Sequence, residues 1–513
     1  MVSPTAFEAL PFHEPHITTI LIQSSFLLLL NVVNYILDTL TYCGLVGQIV
    51  LGILWGTPLG GFLDRSAEET IVQLGYLGLV LLVYEGGLST SLKPLLSNLP
   101  LSLLVAFTGI ALPIGLSFTL TPLAGATSLQ SFVAGAALSA TSLGTTFTIL
   151  SSAGFANTRL GVVLTSAAMV DDVIGLVMIQ VVSTLGGGSG GAIARPVGAS
   201  IGLLILFLVG GWTAGKLFKG RSVGKLAATP AVVGHTLLLL ASVTAAAYAG
   251  ASVLFAAFLA GAAVRWWDEK AGEVFEEYYG EVNKRILVPF FFASVGFSIP
   301  VKQMFTPSAV WKGVVYSVLM IVAKMGTGVW LLPLPELREG QEVVKEKIEE
   351  KMPNIAETAG QKEEGEVKDQ LKAETEAAQV GSQASPVSSV AANTEKTNGE
   401  EKLQDAPLTA PAPQPPKSLY PAFILGLAMV ARGEIAFLIA SVAQSQGVFH
   451  SNQELYLLVV WAAMVCTIAG PMAVGNLVGR VKKLEKKRGE SVVAGGQGAV
   501  GDGRGVLGAW GVN

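Results

Sequence analysis

Apolar residues in this chain fall in long unbroken runs, not in the one-face or alternating patterns of a water-soluble fold. A helix needs about 20 mainly apolar residues to cross a bilayer's hydrocarbon core. Thirteen windows meet or approach that length: 17–38, 43–63, 70–90, 98–121, 129–152, 159–185, 196–217, 231–250, 252–267, 285–300, 309–333, 418–446 and 454–479. The ninth and tenth are short and read as partial or broken helices. Lipid offers no water to open backbone groups, so these windows must be helical. The pattern predicts an all-α polytopic membrane protein.

Composition sharpens this reading. Charged residues are 14% of the 513 and hydrophobic ones 51%, whereas a soluble domain carries about 25% charged residues. The net charge of −4 is an average over two unlike parts. Residues 336–417 hold 17 acidic and 10 basic side chains, and the other 431 residues hold 20 and 23. The expected organisation is an N-terminal segment 1–16, spans over 17–333, an acidic insert 334–417, spans over 418–479, and a basic then Gly-rich tail 480–513. The insert starts Glu- and Lys-rich and ends Pro-rich, which reads as largely disordered. It is either a passive tether or a docking segment for unknown regulators.

Lysine and arginine bias sets the expected orientation. With the N-terminus outside, the inner face receives Lys93, Arg159, Lys216, Lys219, Arg221, Lys225, Arg265, Lys270, Lys284 and Arg285, and the tail adds Arg480, Lys482, Lys483, Lys486, Lys487 and Arg488. The outer face receives Arg65, Arg195, Lys302 and Lys312. The insert and the C-terminal tail are then cytosolic. The N-terminus shows no basic region followed by a cleavage site, so no cleaved signal peptide is expected. No retention signal chooses between the plasma membrane and an internal one.

Catalytic and nucleotide motifs fail. The run Gly210 to Lys216 has Walker-like spacing, but Leu217 replaces the magnesium-binding hydroxyl. Four scattered histidines and two cysteines, Cys43 and Cys466, offer no metal cluster or disulfide framework. No enzyme, cofactor or nucleic-acid partner is expected.

Charges inside apolar runs carry the chemistry, because each costs roughly 2.5–3.5 kcal/mol at mid-membrane. Asp171 and Asp172 lie near the middle of the sixth window. Adjacent helical residues point about 100° apart, so one carboxylate can face a cavity while the other meets a neighbouring helix. Lys324, midway along the eleventh window, needs an anion. The fifth window holds Ser139, Thr141, Ser142, Gly144, Thr145 and Thr146, a density compatible with a helix interrupted at mid-membrane or with simple helix packing. In the twelfth, Arg432 and Glu434 flank Gly433, either as compensation for exposed half-helix ends or as a structural ion pair. Glu85 closes the third window as an interfacial or cavity-lining acid. A carboxylate at such a site holds a proton or an alkali ion, not both. A protein exposing it alternately to each side exchanges the two.

These segments resemble the monovalent cation:proton antiporter superfamily (sodium/hydrogen exchanger family), most closely its NapA-like branch with a paired-aspartate motif. The resemblance rests on SAAMVDDVIGLVMI (166–179), LSATSLGTTFTIL (138–150), PFFFASVGFSIP (289–300) and ARGEIAF (431–437). It implies two inverted six-helix repeats joined by a linking helix, with the fifth and twelfth spans interrupted and crossing. It further implies Asp172 as the main carboxylate for Na+ or K+, Asp171 paired with Lys324, Thr141 assisting, and Ser142, Glu85, Arg432 and Glu434 as possible supports. Two acids with this lysine imply electrogenic exchange in a homodimer. An electroneutral K+/H+ exchanger is the alternative, followed by a cation channel or a non-transporting ion sensor. The insert, between the lysine helix and the Arg–Gly–Glu helix, departs from the family's short loop.

Overall fold

The computed structural model describes residues 14–41, 43–90, 98–142, 150–151, 154–156, 158–186, 194–217, 228–268, 270–332, 419–494, 507 and 510. The insert 334–417, most of the N-terminal segment 1–16 and most of the Gly-rich tail lie outside this set. Among the described residues the regular structure is helical, with no strand. Every predicted window contains helix, and eight helices are long and apolar enough to cross a membrane.

The helices are α1 (Ile17–Thr41), α2 (Gly44–Trp55), α3 (Arg65–Ser89), α4 (Leu99–Ser117), α5 (Ser128–Ala137), α6 (Arg159–Gly186), α7 (Ala194–Leu217), α8 (Ala228–Ala249) and α9 (Val253–Trp267). After them come α10 (271–297), α11 (Pro307–Met325), α12 (Tyr420–Ala428), α13 (Glu434–Ser445) and α14 (Gln453–Ala494). The predicted tenth span was too short. The helix begins at Ala271, and its first half is hidden from hydropathy by Glu276, Glu277, Glu281, Lys284 and Arg285. Two wide turns, Glu276–Gly280 and Asn283–Leu287, interrupt its regular bonding. The Arg285 carbonyl accepts a 2.8 Å bond from Asn31 Nδ2 of α1.

Two groups of helices result. In one, α2 and α3 pack on α10, and α3 also packs on α9; in the other, α4, α5, α6, α11, α12, α13 and α14 pack together. Glycine sets the closest approaches of the first group. A side chain at Gly52 would meet the Ala293 carbonyl at 2.1 Å, and one at Gly296 the Ile49 carbonyl at 2.3 Å. Likewise, Gly87 faces the Phe258 carbonyl at 2.2 Å and Gly261 the Tyr84 carbonyl at 2.2 Å. Small residues let helix backbones touch where lipid supplies no hydrophobic drive between helices.

These two crossings are one motif used twice. Gly52 and Gly261 are 209 residues apart, as are Gly87 and Gly296. Helices α4 and α11 are both 19 residues long and start 208 residues apart. The first repeat's α2 meets the second repeat's α10, and the second's α9 meets the first's α3. This reciprocity is the signature of a two-fold-related internal duplication. An extra pass between the copies, α7, makes the relation inverted.

The crossings give a paired prediction. Gly87→Ala forces a methyl into a carbonyl and should destabilise the protein by about 1–3 kcal/mol, while Gly86→Ala, with open space around it, should be neutral or better. Thermal unfolding in detergent separates them; equal midpoints would refute the close-contact role of Gly87.

Candidate functional site

The site lies where two interrupted spans pass each other. Helix α5 stops at Ala137, and Thr141 and Ser142 continue as non-helical chain. Helix α12 stops at Ala428, and α13 restarts at Glu434 after a non-helical stretch over 431–433. Backbone groups freed by these breaks bond across: Ser142 N–H donates to the Ala431 carbonyl at 2.8 Å. Glycine permits this contact, since a side chain at Gly433 would sit 3.0 Å from Ser142. Gly144, Thr145 and Thr146, also singled out in the sequence, lie outside the described residues.

Arg432 occupies the crossing, fully buried. Its Nη1 donates to the carbonyls of Ala140 at 3.1 Å and Ser139 at 3.4 Å. Those carbonyls lie just past the end of α5, where the helix dipole is negative and its own acceptors lack donors. Glu434 stands in the first turn of α13, the positive end. The sequence left two readings of this pair. Of these, the geometry matches compensation of half-helix ends, and among the described residues no Arg432–Glu434 ion pair occurs.

Helix α6 brings the acids to the crossing. Asp171 is 1% exposed, and its Oδ2 accepts from Lys324 Nζ at 2.9 Å and from Thr141 Oγ1 at 2.5 Å. Lys324 also donates to Thr141 Oγ1 at 2.8 Å, closing a triangle. Thr141 lies 3.4 Å from the Met429 carbonyl at the end of α12. The other oxygen, Oδ1 of Asp171, is buried without a hydrogen-bond partner among the described residues. Room for the ammonium comes from Gly109 of α4, where a side chain would stand 3.3 Å from Nζ. Nothing in the sequence marked Gly109 or the Met429 carbonyl, because a bare backbone atom has no signature until its neighbours are known.

Asp172, unlike Asp171, is partly exposed, as is Glu434. One turn on from Asp172, Gly175 lies against Ile435, with 3.0 Å to a built side chain. That contact brings the start of α13 against α6 one turn beyond the aspartate pair. The cluster therefore holds a closed pair, Asp171–Lys324, and two partly exposed carboxylates, Asp172 and Glu434. Glu85 is not among the residues bonded to this cluster. It lies 3.5 Å from Lys284 of α10, which also binds Glu276 at 2.6 Å. Among the described residues no group of three His, Cys, Asp or Glu is placed to hold a metal ion.

Comparison with known proteins gives one family and a set of relatives. The family described as "Sodium/hydrogen exchanger, transmembrane" matches residues 25–347. A high-affinity Na(+)/H(+) antiporter of Synechocystis is 31% identical over a stretch covering 28% of this chain and 31% of its own length. The probable Na(+)/H(+) antiporter GerT of Bacillus cereus is 28% identical over 55% of this chain and 74% of its own. The Na(+)/H(+)-K(+) antiporter GerN of Bacillus cereus is 25% identical over 55% of this chain and 71% of its own. A solved sodium proton antiporter from Methanocaldococcus jannaschii shares the fold, with a TM-score of 0.53 at 13% identity over 90% of this chain and 99% of that one.

The hydrogen-bonded triangle predicts how Thr141 behaves. Thr141→Val strips a donor from a buried carboxylate and should cost about 1–3 kcal/mol, and Thr141→Ser should restore most of it. Unfolding midpoints of the purified variants check this; a neutral Thr141→Val would show that the hydroxyl does not support Asp171.

Proposed function

Because this chain belongs to the sodium/hydrogen exchanger family, we propose that it is a secondary antiporter, exchanging Na+ or K+ for H+ by alternating access. The observation that carries the reading is the partly exposed Asp172 beside a buried Asp171–Lys324–Thr141 cluster. Asp172 is the principal cation and proton carboxylate. Asp171 is the second, with Thr141 assisting and Ser142, Arg432 and Glu434 holding the crossing. Glu85, tied to Lys284, plays no direct part.

The chemistry follows from charge balance. With Lys324 on Asp171, the cluster offers Asp172 to a proton or a desolvated alkali ion. A cation arriving at Asp172 can also draw on the unpartnered Oδ1 of Asp171, which weakens the Asp171–Lys324 pair. Lys324, deprived of its anion in a low-dielectric site, then loses its proton. With the proton that the cation displaces from Asp172, two protons leave for each cation that enters, so one net charge moves, and each charge crossing 100 mV is worth about 2.3 kcal/mol. This favours electrogenic over electroneutral exchange. The names of the relatives leave Na+ and K+ both open. Movement of the α4–α6 and α11–α14 group against the other exposes the site to each side in turn.

The remaining proposals concern setting. The protein is a multi-pass membrane protein that acts as a homodimer, with the N-terminus outside and the C-terminus in the cytosol. The acidic segment 334–417 is then a cytosolic insert.

Proteoliposomes containing a pH-sensitive dye test the function. Addition of Na+ or K+ should drive proton efflux, and Asp172→Asn should abolish it; exchange retained at the unsubstituted rate in Asp172→Asn would end the assignment. Lys324→Ala should remove the dependence of rate on an imposed potential while leaving some exchange. Unchanged voltage dependence would exclude Lys324 as the moving proton site.

A further inference from the structure

Helix α4 carries a proline well inside its length, Pro113, and that residue is buried. A proline has no N–H, so the carbonyl four residues earlier loses its helical partner. Here that carbonyl belongs to Gly109, itself buried. The adjacent hydroxyl does not serve it, because Thr108 Oγ1 donates to the carbonyls of Leu104 and Val105. In a bilayer a freed backbone group has to be answered by a neighbouring helix, a side chain or an ordered water.

The neighbour at Gly109 is the Lys324 ammonium. Helix α4 packs on α11, and a side chain built at Gly109 would stand 3.3 Å from Lys324 Nζ. Its other nearest atoms are apolar, Met429 Cε at 3.3 Å and Thr327 Cγ2 at 3.4 Å. The Thr327 hydroxyl is turned away, donating to the Lys324 carbonyl at 2.7 Å. An ammonium has three N–H donors and no acceptor. Two are given, to Asp171 Oδ2 at 2.9 Å and to Thr141 Oγ1 at 2.8 Å. Among the described residues, a spare donor on a fully buried lysine thus lies beside a helix with a spare acceptor. The proline is also a point where the repeats differ. The spacing that maps α4 onto α11, Leu99 onto Pro307, sets Ile321 opposite Pro113. That turn of α11 keeps its N–H, and the free carbonyl occurs on the copy that faces the lysine.

We propose that the Gly109 carbonyl, freed by Pro113, is the seat that receives the Lys324 side chain when a cation draws on Asp171. Gly109 and Pro113 are positioning residues, acting through Lys324 and not on the cation. As the cation weakens the Asp171–Lys324 pair, the ammonium would otherwise stand in a dry site with one hydroxyl to answer it. A carbonyl dipole answers part of a unit charge, enough to let the lysine step aside but less than a carboxylate gives. It accepts an N–H from the ammonium or from the neutral amine, so the side chain stays aligned for its return to Asp171. The contact stands on the geometry of α4 and α11; its part in exchange rests on the antiport reading.

Pro113→Ala tests the seat, because it returns an N–H to the Gly109 carbonyl and leaves every side chain of the ion site in place. Lactic acid at position 113, the α-hydroxy counterpart of alanine, removes the ring but supplies no N–H, so it should behave as the unsubstituted protein does. In proteoliposomes with a pH-sensitive dye, Pro113→Ala should raise the Na+ concentration for half-maximal exchange about tenfold, the worth of one hydrogen bond to a charged group, with a much smaller change in maximal rate. A second measurement needs no transport. In Asp171→Asn the ammonium has lost its anion and depends on the seat, so adding Pro113→Ala should lower the unfolding midpoint in detergent by about 2 °C or more. In the unsubstituted protein Pro113→Ala should leave the midpoint unchanged or raise it, and the difference between the two backgrounds should vanish once Lys324→Ala is present. Unchanged half-saturation in Pro113→Ala, or a lactic acid protein that matches Pro113→Ala, overturns the seat's part in exchange. Additive midpoints overturn the contact itself. Absence of exchange in every protein, the unsubstituted one included, overturns the antiport reading instead, and the midpoints still decide the contact.

Discussion

A charge in hydrocarbon must be answered by another charge or by the end of a helix, and that constraint organises the centre of this molecule. Five ionisable groups meet near the crossing: Asp171, Asp172, Lys324, Arg432 and Glu434. Lys324 answers Asp171 directly at 2.9 Å. Among the described residues Arg432 bonds no carboxylate; it answers the carbonyls beyond α5, and Glu434 answers the opposite pole at the start of α13. Each break in a helix thus creates the partial charge that makes its neighbour tolerable. Removing one partner of a buried pair costs about 3–5 kcal/mol, so the crossing and the charges hold each other in place. The formal remainder is one negative charge, and among the aspartates it is Asp172 that stays partly exposed.

The helix groups solve a different problem, close approach without a hydrophobic drive. Gly52 with Gly296 and Gly87 with Gly261 bring backbones to a distance that no side chain permits. Such contacts stiffen α2, α3, α9 and α10 into one unit. The second group is joined through the crossing's polar contacts and through packing of α11 on α14 and α4 on α6. Glycine brings backbones together in the second group too, where a side chain at Gly328 would meet the Ala422 carbonyl at 2.3 Å; what sets that group apart is the charge it carries at the crossing.

Much of this was legible in the sequence because the membrane makes charge conspicuous. Asp171, Asp172 and Lys324 stand out in apolar runs, and the breaks near Thr141 and Gly433 show as hydroxyl and glycine density. The pairing of Asp171 with Lys324 came only from resemblance, since two positions 153 residues apart carry no mutual signal in one sequence. The start of α10 was lost because Glu276 to Arg285 look like a loop to a hydropathy ruler, although the chain there is helical. Leu507 reads in the sequence as part of a Gly-rich tail, yet it is buried in one apolar cluster with Leu160, Ala422 and Val478. An apolar residue among glycines acquires meaning only when the surface it covers is known.

The duplication bears on why the proposed ion site would be single. The frame repeats closely: glycine contacts recur at one spacing, and α4 and α11 have equal length. The charges do not. The 208-residue spacing that maps α4 onto α11 places Leu116 opposite Lys324, so the ammonium has no counterpart in the first copy. The break after α5 presents Thr141 and Ser142, and the break before α13 presents Arg432, Gly433 and Glu434. Under the proposed mechanism, a frame with internal two-fold symmetry can adopt two arrangements related by that axis, one open to each face, because its contacts exchange roles between repeats. An unpaired set of charges cannot be duplicated by that exchange, so both arrangements must serve the same carboxylates. Symmetry in the packing and asymmetry in the charge are together what a single site visited from two sides requires.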